Sequence, residues 1–85
     1  MKTFEYTIKD EMGIHARPAG LLVKLAGKYT SKVTISSGER NADAKRIFGI
    51  MGLGVKCGES IHITCDGTDE EQAISAISAL LQDEL

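Results

Sequence analysis

Residues 13–22, Gly13-Ile14-His15-Ala16-Arg17-Pro18-Ala19-Gly20-Leu21-Leu22, hold the junction at which this chain passes from one periodicity to another. Pro18 is the only proline among 85 residues and stands where an apolar helical repeat begins. Proline suits the first turn of a helix, where its missing N–H has no intrahelical partner to lose. Ala19, Leu22, Leu25 and Ala26 follow at helical spacing, with Leu21 and Val23 widening the stripe and Gly27 as C-cap. The spacing predicts a helix over 18–26, with His15 just ahead of it and Ala16 and Pro18 at its N-terminus. Gly20 costs about 1 kcal/mol against alanine inside a helix, and so predicts close approach of another backbone or a partner. Unpaired amides and the positive dipole end at a helix start favour an anion. Arg17 can grip phosphate bidentately. A nucleophilic imidazole in that setting points to a histidine that carries a phosphoryl group.

Before this junction, Phe4, Tyr6 and Ile8 alternate with Thr3, Glu5 and Thr7, the pattern of a half-buried strand. Asp10 to Gly13 then forms a polar loop that delivers His15. After it, Val33 and Ile35 mark a second strand, Ser37-Gly38-Glu39 a turn, and Arg40 to Ala42 a short third strand closing a hairpin. Ala44 to Leu53, carrying Ile47, Phe48, Ile50 and Met51 but interrupted by Gly49 and Gly52, reads as a short, poorly capped helix. Ile61, Ile63 and Cys65 alternate in a fourth strand. Thr68-Asp69-Glu70-Glu71 resembles a capping box opening a last helix lined by Ile74, Ile77, Leu80 and Leu81. The order is βαββαβα, and each strand is apolar on one side only. The expected fold is an α+β open-faced sandwich: one domain over 1–85, its four-stranded antiparallel sheet covered on one face by three helices.

Composition narrows the function. Apolar residues make up 42%, charged residues 26%, and the net charge is −2. An acidic balance argues against nucleic acid as partner. No apolar run approaches the ~20 residues that cross a bilayer, and Met1-Lys2-Thr3-Phe4-Glu5 lacks the apolar core of a signal peptide. A cytoplasmic monomer is expected, with Cys57 and Cys65 as free thiols.

The stretch Gly13 to Ala19 closely resembles the active centre of the HPr family, the histidine-containing phosphocarriers of the phosphoenolpyruvate:sugar phosphotransferase system. The resemblance continues through Asp43-Ala44-Lys45, Ile47-Phe48-Gly49-Ile50-Met51, Leu53-Gly54-Val55, Gly58, Gly67 and the acidic start of the last helix. It covers the whole chain without insertions. It implies that His15 takes a phosphoryl group on Nδ1 from enzyme I and passes it to enzyme IIA domains, with Arg17 stabilising the phosphate. It further implies an exposed docking patch of Ile47, Phe48 and Met51, with Ile50 turned inward; Lys24, Lys45 and Arg46 are basic residues expected to rim it and meet acidic partners. No cofactor is expected. Such a protein is a stoichiometric carrier and not an enzyme with its own turnover.

The remaining motifs read more simply. His62 falls on the water side of its strand. Gly52, Gly54 and Gly58 lack the Lys-Ser/Thr pair of a phosphate loop and read as turn and packing positions. Two positions depart from the family. In its low-GC Gram-positive members a serine, target of a regulatory kinase, usually follows the lysine matching Lys45. Here Arg46 stands there, and no serine or threonine occurs from Gly38 to Glu59. Arg46 is also a poor helix N-cap, leaving Asp43 as the candidate substitute. Met12 replaces a commonly small polar residue beside the histidine. The alternative function is a regulatory protein that uses the Ile47-Phe48-Met51 patch to bind metabolic or transcriptional regulators.

Overall fold

The computed structural model describes all residues, 1–85. Its elements are β1 (Lys2–Thr7), α1 (Ala16–Ala26), β2 (Lys32–Ser37), β3 (Arg40–Asp43), α2 (Ile47–Gly52), β4 (Ser60–Asp66) and α3 (Glu70–Glu84). The four strands form one antiparallel sheet in the order β1-β4-β2-β3, with α1, α2 and α3 against it. The expected open-faced sandwich is the observed architecture. No helix is long and apolar enough to cross a membrane.

Strand alternation decides which face is covered. Phe4 pairs with Ile63, Ile63 with Ile35, and Ile35 with Ala42, one continuous apolar row across the sheet. The next row out of phase, Glu5, His62, Ser36 and Asn41, points to water. On the covered face Val33, Ile35, Ile61, Ile63 and Cys65 are fully buried against Ala19, Leu22 and Ala26 of α1, Ile50 of α2, and Ala73, Ile77 and Leu81 of α3. Each fully buried Val, Leu or Ile contributes roughly 1.5–3 kcal/mol, so this aliphatic layer is the main source of stability. Ser31 is the one buried polar residue, and its needs are met by Asp69.

Several local expectations need correction. The first helix begins at Ala16, two residues before the predicted start, which puts Pro18 third in its opening turn. Gly20 meets no backbone; a Cβ there would find only Ile47 Cδ1, at 4.0 Å. Gly27 caps α1 in a right-handed conformation, φ −65°, so glycine's special freedom is not used. The second helix is six residues long, not the expected ten, because Ala44 and Lys45 are spent in a turn. Asp43 does not cap it: its Oδ1 accepts from Lys45 N at 2.9 Å, and Arg46 offers no side-chain cap.

The Thr68 capping box does not form. Asp69 precedes α3, but its carboxylate reaches back across the molecule to the α1–β2 loop. Glu70 takes over the local role, its Oε1 accepting from Gly67 N at 3.1 Å.

Candidate functional site

The loop between β1 and α1 is fixed at both ends before it presents His15. Lys9 N and Asp10 N both donate to Leu85 O, at 2.6 and 2.9 Å, so the end of α3 anchors its entry. Gly13 N donates to Asp10 O at 2.9 Å, and Ile14 N donates to Val55 O at 3.1 Å. Gly13 has φ +67°, and a Cβ on it would lie 2.3 Å from Val55 O, so only glycine permits this close approach. Ile14 is buried behind the loop. These restraints bring His15 to the residue immediately before α1, with extended backbone and a side chain 26% exposed.

At that position the ring neighbours the first amides of α1. Ala16 and Arg17 stand first and second in the helix and have no acceptor within it, whereas Ala19 N already donates to His15 O at 3.0 Å. Pro18 contributes no amide and is buried, holding the turn by packing. The start of α1 therefore offers oriented N–H groups and a positive dipole end beside a half-exposed imidazole.

Arg17 is not laid against His15. Its Nη1 donates to Glu84 Oε1 at 2.7 Å, with the arginine side chain 62% exposed. The ring's partner is instead Asp10, whose Oδ2 lies 3.4 Å from Nε2. Asp10's other oxygen accepts from Met12 N at 2.8 Å. That amide, then the His15 ring and the Arg17 charge, hold the Asp10 carboxyl below its ordinary range against a smaller opposing effect of burial. Asp10 and Glu84 are thus members of the constellation that motif reading overlooked. A carboxylate five residues ahead of the histidine was a weak local signal for Asp10; nothing in the chain pattern announced Glu84, 67 residues from Arg17.

The second cluster lies on and around α2, which packs against α1. Phe48 is 87% exposed and Met51 40%, while Ile50 is fully buried and Ile47 half-buried. Leu21 on α1 and Met12 beside the histidine are exposed as well. Lys24 is free on the surface of α1. Lys45 is not: its Nζ donates to Tyr29 O at 2.8 Å, which ties it to the loop after α1. Arg46 Nε approaches Asp43 Oδ2 at 3.8 Å with its side chain 82% exposed. The largest concavity, about 610 Å³, lies elsewhere, between the β2–β3 turn and segment 53–60, and His15 does not line it.

Comparison with known proteins shows the family and the fold. The family described as PTS HPr component phosphorylation site matches residues 2–83. The chain is 41% identical over 83 residues to the phosphocarrier protein HPr of Mycoplasma capricolum, covering 98% of this chain and 93% of that protein. It is 44% identical over 84 residues to the HPr of Mycoplasma genitalium, covering 96% of this chain and 94% of that one. Among solved structures, a Mycoplasma histidine-containing phosphocarrier protein superposes with a TM-score of 0.94 at 40% identity, over 96% of this chain and 93% of the other.

Proposed function

The chain belongs to the HPr family of phosphocarriers in the phosphotransferase system, and from that premise we propose that His15 takes a phosphoryl group on Nδ1 from enzyme I and hands it to enzyme IIA domains during sugar uptake in the cytoplasm. Like its family, the chain is a carrier consumed and regenerated in each transfer, not a catalyst with independent turnover.

The observation that carries this reading is the placement of a half-exposed imidazole at the start of α1. A neutral imidazole has a nucleophilic lone pair, and the amides of Ala16 and Arg17, without acceptors in the helix, are available to donate to phosphoryl oxygens. Phosphoryl transfer asks chiefly for positioning and charge stabilisation, and those are what this short helix start provides. Arg17 adds a positive charge near the site, paired with Glu84 Oε1 until a phosphoryl group competes for it. Phe48 and Met51, with Ile47 behind them, give an apolar surface for partner proteins, and Lys24 and Arg46 steer acidic partners toward it. Lys45, bound to Tyr29 O, has less freedom to join them.

The test is direct. Incubation with enzyme I and phosphoenolpyruvate should place one acid-labile, base-stable phosphate on the protein, and His15→Ala should abolish it. Labelling that survives the substitution refutes the assignment.

A further inference from the structure

We propose that Asp10 is a positioning residue for His15, holding the ring as its Nε2–H tautomer so that Nδ1 keeps a free lone pair. This rests on the carrier function proposed above. The geometry supplies the argument. Asp10 is one of the most restrained residues of its loop: its N donates to Leu85 O, its O accepts from Gly13 N, and its Oδ1 accepts from Met12 N. With one carboxylate oxygen committed to Met12, the other is left to face Nε2, at 3.4 Å. An ionised carboxylate can only accept hydrogen bonds, so the nitrogen it faces must be the one that carries hydrogen. The two ring nitrogens are thereby assigned different tasks.

That division lets transfer run in both directions without moving a proton. On loading, the Nδ1 lone pair attacks phosphorus, and the bond from phosphorus to the donor breaks with its electron pair leaving on the donor. The ring keeps hydrogen on Nε2 and becomes a cation facing the Asp10 carboxylate, which turns a long contact between a neutral donor and an anion into an ion pair. On unloading, a lone pair of the acceptor attacks phosphorus and the Nδ1–phosphorus bond breaks. Its electron pair returns to Nδ1, and a neutral imidazole remains in the tautomer it began with. A ring held with hydrogen on Nδ1 would have to lose that proton before each loading step.

Two substitutions separate this role from simple loop support. Asp10→Asn can keep the Met12 bond through its oxygen, which leaves its NH₂ facing the ring. It should therefore favour a proton on Nδ1. Asp10→Ala removes the acceptor without supplying a donor. Nitrogen-15 NMR of the His15 ring reads the tautomer in each, and single-turnover phosphorylation by enzyme I and phosphoenolpyruvate reads the rate. The expected result is a tautomer shift toward Nδ1–H that is larger in Asn than in Ala, with transfer slowed about fivefold in Ala, the scale of one hydrogen bond, and further in Asn. An unchanged tautomer ratio in folded Asp10→Asn overturns the proposal whatever the rates. A wild-type protein that takes up no phosphate overturns the carrier reading instead, while the ring spectra still judge the tautomer.

Discussion

Arg17 Nη1 and Glu84 Oε1 lie 2.7 Å apart, so the guanidinium nearest the candidate phosphoryl acceptor is held by the last turn of α3 and not by His15. The pair is largely solvent-exposed on the arginine side, and exposed ion pairs contribute little to folding, ~0–1 kcal/mol. Its importance lies in what it does with Arg17. An incoming phosphoryl group must compete with a carboxylate for the same guanidinium. Glu84→Gln should therefore leave the urea midpoint almost unchanged while raising the rate of phosphoryl acceptance about two- to fivefold, a change of under ~1 kcal/mol. Arg17→Ala should slow it more than Glu84→Gln speeds it, up to about a hundredfold, the scale of losing one donor to developing charge. Rapid-quench labelling measures both.

Acid should unfold the protein through Asp69. Its carboxylate accepts from the Ser31 hydroxyl, from Thr30 N at 2.8 Å and from Ser31 N at 2.9 Å, and these bonds, the hydroxyl first, bring its pKa down to about 2. An unfolded aspartate titrates near ~3.9. The folded value is the lower one, so the stabilisation is complete above about pH 4 and disappears as pH falls through 2. Asp69→Ala should lower the thermal midpoint by about 5 °C or more at neutral pH, and the gap to wild type should close between pH 4 and pH 2. A gap that persists at low pH would contradict this account.

Two glycines should respond in opposite directions to the same substitution. Gly13→Ala combines φ +67° with a Cβ 2.3 Å from Val55 O and 2.8 Å from Lys56 Cα. Strain of that kind costs about 1–3 kcal/mol, and relief requires moving the loop that carries His15, so both urea stability and labelling rate should fall. Gly20→Ala meets nothing closer than 4.0 Å and sits inside α1. It should gain up to ~1 kcal/mol from helix propensity.

The two thiols should differ in reactivity. Cys65 is fully buried in β4, and burial, followed by the charges of Asp69 and Glu70, raises its pKa. Cys57 is exposed. A disulfide-exchange reagent should titrate one thiol in the native protein and two after denaturation; two fast-reacting thiols in the native state would show that β4 opens readily.

Arg46 predicts insensitivity to the regulatory serine kinase. Its arginine precedes a six-residue helix that has no serine or threonine. Incubation with that kinase and ATP should leave the chain unmodified by mass spectrometry, and phosphate at Ser36, Ser37 or Ser60 would refute this.

What could be read from the chain alone was what repeats locally. Alternation at Val33 and Ile35, and at Ile61, Ile63 and Cys65, identified the strands and their buried side. The spacing of Ala19, Leu22, Leu25 and Ala26 identified the covered face of α1, although Leu21, which the same pattern assigns to that stripe, is exposed. Pro18 located the helix start that carries His15 to within two residues. What escaped were pairings between distant segments. Asp69 looked like part of a local cap because acids commonly serve there, yet its partners are 38 and 39 residues away. Arg17 looked like a neighbour of His15 because only Ala16 stands between them in sequence, yet a side chain from α3 claims it. The length of α2 was misjudged because Ala44 and Lys45 suit a helix as well as the turn that tertiary packing imposes on them.

The bare side of the sheet has a practical meaning. Thr3, Thr64 and Thr34 share one row there and Glu5, His62 and Ser36 the next, all on paired strands with no helix above them. A dye, spin label or surface tether attached at His62 or Thr64 would ride on rigid backbone, behind the layer that separates it from His15 and Phe48. The molecule thus comes with a handle by which it can be immobilised or watched while its working end remains unobstructed.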